Sequence, residues 1–430
     1  MVTGSLIMVT TNNVNRSSCI IVGAGIGGLA AAGALAPLFK SITIIDKDPL
    51  PSYPTSRKST IQSNHLHSLL IAGQLLLEKF YPGITEELNN AGGVVLRAGI
   101  DQQIYEFGTW MPKRDLGMNI SAQSRSLLEF VLRNRTSRLS NVNILDSTKV
   151  ENFLIEKNKV TGVVLSANHE NKKTILADVI VDASGLSGNL SAKLNQLCPE
   201  IESKKETVNS RIVYVTAFIK KPKKWQNHKE NILIVAEPQQ TCGGALLDIE
   251  KDTWVVSLNG RNGVVPPTTT DEWKKFAKQL ASPAIWERIK NCENLGKLRK
   301  FNKPLSYFRR FDKVHNLPSG YFPLGDTINS LNPTFGQGMA LAIGHADRLR
   351  EVFLNDSNID QQKQYLKSVT KWSQRSWRQT VAYESMFAVS DESARNKFQI
   401  LQTLVLNKHK QAIGNADTHL QLFKQAQMLD

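Results

Sequence analysis

The amino-acid sequence predicts an α/β protein in which a parallel sheet is joined to a second, antiparallel sheet and to a helical C-terminal segment. Three observations support this fold class. The apolar run Cys19–Val22 leads into a glycine-rich turn and an Ala/Leu-rich stretch, which is typical of a buried strand followed by a helix. Between Arg211 and Leu258, short apolar segments alternate with turn residues, as in an antiparallel meander. Beyond Arg350 the pattern is mainly helical as far as Met428.

The first strand and the first helix enclose a Gly-x-Gly-x-x-Gly motif. Gly23 permits a tight turn, Gly25 lets the backbone approach a pyrophosphate, and Gly28 lets the helix pack closely on the strand. The free N–H groups at the start of the helix then face the phosphates. A second strand, Ser41–Ile45, ends in Asp46, whose carboxylate would accept hydrogen bonds from an adenosine ribose. This unit predicts a dinucleotide-binding domain and leaves NAD and FAD both open.

Later segments favour FAD. Val179–Asp182 is an apolar strand followed by Ala183-Ser184-Gly185, and Gly320–Asp326 is another strand that ends in Gly-Asp. A carboxylate at the tip of a strand, here that of Asp326, can hold the hydroxyls of a flavin ribityl chain. The segment Gly336-Gln337-Gly338 opens a helix and places backbone N–H groups where a reduced flavin carries negative charge.

These three separated signatures resemble those of the FAD-dependent monooxygenases of the aromatic-hydroxylase type, whose fold is shared with geranylgeranyl reductases and flavin halogenases. The similarity extends from Ser18 to about Leu349. A tighter resemblance links the chain to the bacterial polyether-pathway epoxidase-like flavoproteins, which typically carry Pro-Gln-x-x-His-x-His. This chain has Ile61-Gln62-Ser63-Asn64-His65-Leu66-His67 at that place, with isoleucine instead of the proline.

The resemblance implies a discontinuous, Rossmann-type FAD-binding domain with an antiparallel β-sheet substrate domain. The first part of the FAD-binding domain would be 18–200, with a substrate-side insertion at about 60–115. The substrate domain would be 201–315, the final part of the FAD-binding domain 316–350, and the C-terminal helical segment 351–430.

The resemblance also implies roles for matching residues. Arg125 would lie near the ribityl and phosphate region, and Arg57 would meet an FAD phosphate, with a solvated arginine as the alternative for each. The loop at Gly336–Gly338 would lie beside the isoalloxazine and act through its backbone, without a side-chain nucleophile. The implied cofactor-binding residues are Gly23, Gly25, Gly28, Asp46, Arg57, Arg125, Asp326, Gly336, Gln337 and Gly338, of which the last three are also the implied catalytic residues.

His65 and His67 leave two interpretations open. The subgroup resemblance places one of them, with His67 as the candidate, near the flavin or the mouth of the substrate site. The alternative is a pair of hydrogen-bonded residues at a seam between two parts of the chain. Four dispersed cysteines and a single close histidine pair provide no recognisable metal-ligand spacing, so no metal site is predicted.

The function implied is that of an FAD-dependent monooxygenase. It would insert one oxygen atom into an alkene or electron-rich carbon of a specialised metabolite, by epoxidation or hydroxylation, through a flavin C4a-hydroperoxide. The implied partners are O2, a small substrate that is apolar or carrier-bound, and NAD(P)H or a partner flavin reductase as the electron source.

Three other functions stay open. Asp182-Ala183-Ser184-Gly185 replaces the Asp-Gly of aromatic hydroxylases, which favours an FAD-dependent reductase of prenyl-type double bonds. A flavin-dependent halogenase is less favoured, because the Gly-Trp-x-Trp-x-Ile-Pro motif of tryptophan-type halogenases is absent. A basic protein that binds nucleic acid or membrane, without catalysis, is the remaining class.

The charge of the chain is its most unusual compositional property. Lys and Arg number 53 against 38 Asp and Glu, for a net charge of +15, and residues 201–320 hold 22 basic and 12 acidic residues. No nucleic-acid-binding signature accompanies this charge, so a solvated lysine-rich face is preferred to a nucleic-acid partner, and peripheral membrane contact stays open. The uncharged stretch Ser17–Phe39 is long enough to cross a bilayer, but its patterned glycines favour the dinucleotide unit. Without a signal peptide in Met1–Ser18 or a disulfide framework, we predict a cytoplasmic protein.

Overall fold

The structure, a computed structural model of the chain, describes residues 16–166, 173–185, 189–293, 296–355, 360–387 and 392–429. Most of Met1–Ser18 therefore lies outside the described residues. The helices are α1 (Ile26–Leu35), α2 (Ile71–Phe80), α3 (Ile84–Asn90), α4 (Arg125–Ser137), α5 (Asn189–Leu197), α6 (Glu200–Ser203), α7 (Thr270–Lys278), α8 (Ala284–Ile289), α9 (Gly338–Leu354), α10 (Gln361–Ser385), α11 (Glu392–Gly414) and α12 (Ala416–Ala426). The strands are β1 (Arg16–Val22), β2 (Phe39–Ile45), β3 (Val94–Arg97), β4 (Gln102–Glu106), β5 (Thr109–Trp110), β6 (Asn119–Ala122), β7 (Val142–Leu145), β8 (Val150–Glu156), β9 (Lys159–Leu165), β10 (Thr174–Leu176), β11 (Val179–Asp182), β12 (Lys205–Lys220), β13 (Asn231–Ile234), β14 (Cys242–Ile249), β15 (Thr253–Arg261), β16 (Arg299–Arg309), β17 (Tyr321–Pro323) and β18 (Asn329–Ser330).

The first sheet is parallel, with five strands in the order β17-β11-β1-β2-β7. Cys19–Val22 is buried near its centre, as the uninterrupted apolar run predicts for a parallel strand covered on both faces. Helices α1, α4 and α9 share one hydrophobic core with these strands. Parallel strands end at a common edge, so the turn after β1, the segment after β11 and the turn after β17 all meet there. The predicted α/β fold with its Rossmann-type unit is confirmed.

The second sheet has eight strands in the order β18-β16-β12-β15-β14-β13-β4-β5. Its central strands are antiparallel and contain the predicted meander between Arg211 and Leu258, whereas β4 pairs with β13 in parallel. Helices α7 and α8 cover one face and bury Trp273, whose indole N–H donates to the Val215 carbonyl at 3.2 Å. Residues 102–110 add two strands to this sheet from far upstream in the chain. The proposed domain boundaries stay predictions.

The C-terminal segment is helical, as predicted. Helix α10 packs against α9, and α12 carries Phe423 into a core shared with β3 and β6. The Gln427 side chain accepts a hydrogen bond at 3.0 Å from the N–H of Ile71, at the start of α2. Ser17–Phe39 is divided among a strand, a helix and the start of a second strand. In the described part of the chain, no helix combines the length and apolar character that crossing a membrane requires.

Candidate functional site

A cavity of about 1330 Å³ lies between the carboxyl edge of the parallel sheet and the eight-stranded sheet. Ligand pockets for drug-sized molecules are typically about 300–1,000 Å³, so this space is suited to a larger ligand or to two ligands. Of the predicted site residues, those lining the cavity are Gly25, His67, Arg125, Asp326, Gly336, Gln337 and Gly338. The other predicted site residues do not line it: Gly23, Gly28, Asp46 and Arg57.

The glycine turn after β1 is closely packed at Gly23 and Gly28 and open at Gly25. Gly23 has a φ of +106°, and a Cβ there would lie 2.5 Å from the Ala183 carbonyl oxygen. A Cβ on Gly28 would lie 1.8 Å from the Gly23 carbonyl oxygen, so the helix can approach the strand only without a side chain. Around Gly25, in contrast, nothing lies within 4 Å of an added Cβ. Gly25 is the N-cap of α1 and no side chain caps the helix, so the turn leaves the first N–H groups available to an anion.

Asp46 and Arg57 contact each other directly. The Asp46 carboxylate accepts hydrogen bonds from the N–H groups of Ala24 (2.6 Å) and Asp48 (2.9 Å), and it lies 3.1 Å from the Arg57 guanidinium. Arg57 Nε donates to Glu129 at 2.5 Å, and its side chain is only 4% exposed. Burial alone would lower the pKa of Arg57, but the Glu129 and Asp46 carboxylates raise it. Arg57 is therefore a buried ion-pair residue that braces the glycine turn, and direct contact of Asp46 or Arg57 with FAD stays a prediction.

The turn after β17 places Asp326 at the cavity. Tyr307 donates its hydroxyl to the Asp326 carbonyl at 2.6 Å, and burial raises the pKa of the Asp326 carboxyl, against the opposing influence of Lys303 and Arg125. The N–H of Gly325 donates to His345 Nδ1 at 3.1 Å. These contacts hold the backbone of the turn in place, and the contact of the Asp326 carboxylate with ribityl hydroxyls stays a prediction.

His345 anchors this turn, and sequence reasoning did not identify it. It is fully buried, and burial, aided by Arg348, lowers its pKa to about 3, so the ring is neutral. Because Nδ1 accepts from Gly325, Nε2 carries the proton and donates to Ser373 Oγ at 2.8 Å. A lone histidine in an apolar helical stretch gives no sequence signal that distinguishes such a role.

The loop that precedes α9 exposes backbone donors to the cavity. Gly336 has a φ of +64°, which favours glycine, and the Asn332 side chain accepts from the Thr334 N–H at 2.8 Å. No side chain caps α9, and nothing lies within 4 Å of a Cβ added at Gly338. Gln337 Nε2 donates to Gln379 Oε1 at 2.9 Å, whereas the buried Gln337 Oε1 has no hydrogen-bond partner among the residues that the structure describes. These open donors and the unpartnered oxygen fit a polar planar ligand such as an isoalloxazine.

Arg125 and His67 lie together at the cavity surface. Arg125 begins α4, and its buried Nε, 3.8 Å from the Glu129 carboxylate, makes no hydrogen bond within the described part of the chain. His67 Nδ1 donates to the His65 carbonyl at 3.0 Å. Burial and Arg125 lower the pKa of His67 to about 3, so the ring is neutral and its Nε2 is an acceptor. A general-base role for His67 at neutral pH is limited by this low basicity.

His65 is a hydrogen-bonded residue at a seam between two parts of the chain. It is buried outside the cavity, where Nδ1 lies 2.9 Å from Thr216 Oγ1, in β12. Its ring makes edge contacts with Tyr214 and Phe301, at centroid distances of 5.0 and 5.5 Å. Thus His65 ties the 61–67 segment to the sheet, and His67 reaches the cavity.

The eight-stranded sheet supplies an apolar wall, in which polar side chains such as Glu106 and Asn259 are interspersed. Tyr214 and Phe301 stack at 5.2 Å, and lining residues recur every second position, as at Ile212 and Tyr214 or at Phe301 and Lys303. This alternation was present in the sequence, but it does not show which face of a sheet meets the ligand. Wall residues that the sequence did not identify include Leu70, Ile212, Tyr214, Leu233, Phe301 and Trp377.

A buried ion pair joins this wall to the loop before α9. Arg261 in β15 and Glu384 in α10 are each 1% exposed and lie 2.6 Å apart. Glu384 also accepts a hydrogen bond from the Asn332 side chain. The Arg261 guanidinium lies over the rings of Tyr383 and Phe387, at 4.7 and 4.5 Å. The loop, the sheet and α10 are therefore held in one arrangement.

Comparison with known proteins agrees with this geometry. The family described as "FAD binding domain" matches residues 16–358. Protein Rv3254 of Mycobacterium tuberculosis is 30% identical over 348 residues, which cover 78% of this chain and 72% of that protein. Squalene epoxidase 5 of Arabidopsis thaliana is 24% identical over 344 residues, which cover 79% of this chain but only 62% of the plant protein.

Solved structures share the fold. The flavin-dependent brominase Bmp2 matches with a TM-score of 0.64 at 15% identity, covering 95% of this chain and 97% of the brominase. PqsL, a probable FAD-dependent monooxygenase from Pseudomonas aeruginosa, matches with a TM-score of 0.63 at 16% identity, covering 89% of this chain and 98% of PqsL.

In the described ranges, no group of three or more His, Cys, Asp or Glu side chains could hold a metal ion.

Proposed function

Because this chain belongs to the FAD-binding domain family, and is thereby an FAD-dependent oxidoreductase, we propose that it inserts one oxygen atom from O2 into an apolar small molecule. The observation that carries the proposal is the composition of the cavity. One side consists of the glycine turn, Asp326 and the loop before α9, and the other is the apolar wall of the second sheet. A cofactor and an apolar substrate can lie in contact there.

FAD fits the residues on the cofactor side. The open turn at Gly25 would hold the pyrophosphate, Asp326 the ribityl hydroxyls, and the loop at Gly336–Gly338 the isoalloxazine. When bound, the flavin supplies O2 activation and oxygen transfer, which amino-acid side chains do not provide. The chain supplies orientation, and the N-terminus of α9 supplies partial positive charge beside the ring.

The substrate side presents apolar side chains to the cavity. Tyr214, Phe301 and Leu233 present rings and an aliphatic side chain to the cavity, and the neutral His67 adds no charge. Such a wall favours an alkene or electron-rich carbon skeleton over a strongly hydrated substrate. The names of the plant relatives, squalene epoxidases, support epoxidation of an apolar alkene as the specific form of the reaction. Electrons would come from NAD(P)H or from a partner flavin reductase.

A reductase of prenyl-type double bonds is the second candidate, and the segment after β11 favours it. Asp182 is fully buried, where it accepts from the Ser184 N–H at 3.0 Å and from the Tyr321 hydroxyl at 2.8 Å. The carboxylate is thus used within the fold and is not directed at the cavity. This structural role of Asp182 differs from nicotinamide handling, so the segment gives no support to direct reduction by NAD(P)H.

The decisive experiment follows the mass of the product. FAD-loaded protein is supplied with NADPH or with a flavin reductase, together with 18O2 and either squalene or an extract of the source cell's metabolites. We expect a product that gains one labelled oxygen atom. Gain of two hydrogens without O2 would establish the reductase, and gain of a halogen a halogenase. A protein that binds no FAD would overturn the proposal, and Gly25→Asp serves as the matched FAD-deficient control.

A further inference from the structure

Lys303 is a buried cation within the cavity. It lies in β16, is 8% exposed, and lines the cavity together with Asp326 and Ser330. Its Nζ contacts Ser330 Oγ and lies 5.9 Å from the centre of the Tyr307 ring. Among the described residues, no carboxylate lies within salt-bridge distance of this ammonium. One hydroxyl is therefore its hydrogen-bond partner, although an ammonium has three donors.

Lys221 shows how this chain treats a lysine buried for structure. It is 5% exposed, and its Nζ lies 2.8 Å from the Asp248 carboxylate and also contacts the His228 carbonyl. A buried charge is costly unless it is paired and hydrogen-bonded, and Lys221 meets both conditions. Lys303 meets neither fully. Burial lowers the pKa of Lys303, and the more distant Asp326 only partly opposes this.

The position of Lys303 indicates which kind of ligand could accept its remaining hydrogen bonds. On the cofactor side it neighbours Asp326, and on the substrate side Phe301 lies two residues away on the same face of β16. Arg310, another cation of the cavity, is already paired with Glu206 at 2.9 Å and Asp312 at 2.8 Å. Lys303 is thus available to an anion that enters the cavity.

We propose that Lys303 binds an anionic oxygen inside the cavity, supplied either by the electron-rich edge of the bound flavin or by an acidic group on the substrate. The inference rests on the proposed function, because it assigns ligands to the same site. If the flavin supplies the oxygen, Lys303 stabilises the reduced cofactor. If the substrate supplies it, the substrate class is an apolar molecule with a carboxylate or enolate.

The first measurement is the midpoint potential of bound FAD. Lys303→Met removes the charge at similar length, Lys303→Arg retains it, and Lys300→Met removes an exposed lysine from the same strand as the matched control. If the ligand of Lys303 is the flavin, Lys303→Met should weaken the preference for binding reduced over oxidised FAD at least tenfold. This corresponds to a midpoint potential that is about 30 mV lower for a two-electron couple. The arginine and Lys300 variants should stay within twofold of wild type.

The second measurement compares decanoate with decan-1-ol as ligands of the holoenzyme, by calorimetry. A substrate-derived anion predicts that wild type prefers decanoate and that Lys303→Met loses this preference at least tenfold, while Lys300→Met keeps it. A change in either measurement supports the proposal and identifies the source of the oxygen. No change in both, with FAD still bound, overturns it. Lys303→Gln replaces the methionine variant if that protein does not fold. Failure of the proposed function would appear separately, as absence of labelled oxygen in any product of the wild-type enzyme.

Discussion

Gly25→Asp should separate cofactor binding from folding at the first glycine turn. Gly25 has φ −78° and ψ −178°, which other residues adopt without strain, and an added Cβ would meet nothing within 4 Å. It is the N-cap of α1, where aspartate is among the preferred residues, because its carboxylate accepts from the free N–H groups. The same carboxylate would occupy the place proposed for the FAD pyrophosphate.

The two effects have opposite signs. As an N-cap beside the helix dipole, the aspartate should stabilise the FAD-free protein by about 0.5–1 kcal/mol. Against a pyrophosphate at about 4 Å, one like charge costs about 4 kcal/mol at an effective dielectric constant of about 20. Each change of about 1.4 kcal/mol alters a dissociation constant tenfold. Even if solvent screening reduces the repulsion to about 3 kcal/mol, FAD binding is therefore weakened by more than about 100-fold.

Fluorescence titration of FAD and thermal unfolding of the FAD-free protein measure the two effects. We expect an unfolding midpoint at or slightly above that of wild type, together with the loss of FAD affinity. Gly25→Ser, which caps the helix without a charge, is the control and should retain most of the affinity. Wild-type FAD affinity in Gly25→Asp would show that the turn does not hold the pyrophosphate. A large fall in the unfolding midpoint would refute the inference that the position is open.

Three further predictions concern stability. Gly28→Ala should destabilise the FAD-free protein by about 3 kcal/mol in chemical unfolding, because its Cβ would lie 1.8 Å from the Gly23 carbonyl oxygen. A change in unfolding free energy below about 1 kcal/mol would contradict the close packing of α1 on β1. Glu384→Gln leaves the Arg261 guanidinium buried and unpaired and should lower the free energy of unfolding by about 3–5 kcal/mol. The control Glu287→Gln, which removes an exposed ion pair, should change the free energy of unfolding by less than about 0.5 kcal/mol. Equal effects of the two substitutions would refute the role of burial. Burial lowers the pKa of His345 from 6.5 to about 3, so protonation favours the unfolded state, and the stability due to this group is complete above pH 6.5 and lost as the pH falls toward 3. His345→Gln should therefore flatten the dependence of unfolding free energy on pH across that window, and an unchanged slope would contradict a neutral, buried ring.

Local features of the sequence predicted the cofactor half of the molecule well. The glycine turn, the apolar run of β1 and the Gly-Asp turn after β17 each depend on a few adjacent residues, because backbone conformation and burial of a strand are local properties. For that reason the family, the cofactor and the fold class followed from the motifs. The C-terminal helices followed from their periodicity in the same way.

The placement of Arg57 shows where local reasoning reached its limit. The sequence left a phosphate contact and a surface arginine both open. The structure buries the guanidinium among Asp46 and Asp48, which follow β2, and Glu129, which lies far along the chain in α4. Ion pairs between distant segments depend on how the segments are brought together, and no spacing in the sequence records that.

The sequence by itself determined that this chain is a flavoprotein of the FAD-binding domain family, since each motif that is predicted to hold the cofactor is a continuous segment of the chain. Only the tertiary structure decided how the cavity is closed and charged. Its wall combines β4, β12 and β16 with residues from α10, and one of its cations is the buried Lys303, which no motif marks. The physical reason is that desolvation and charge pairing arise from every element packed around a side chain, whereas a turn or a helix cap arises from its immediate neighbours.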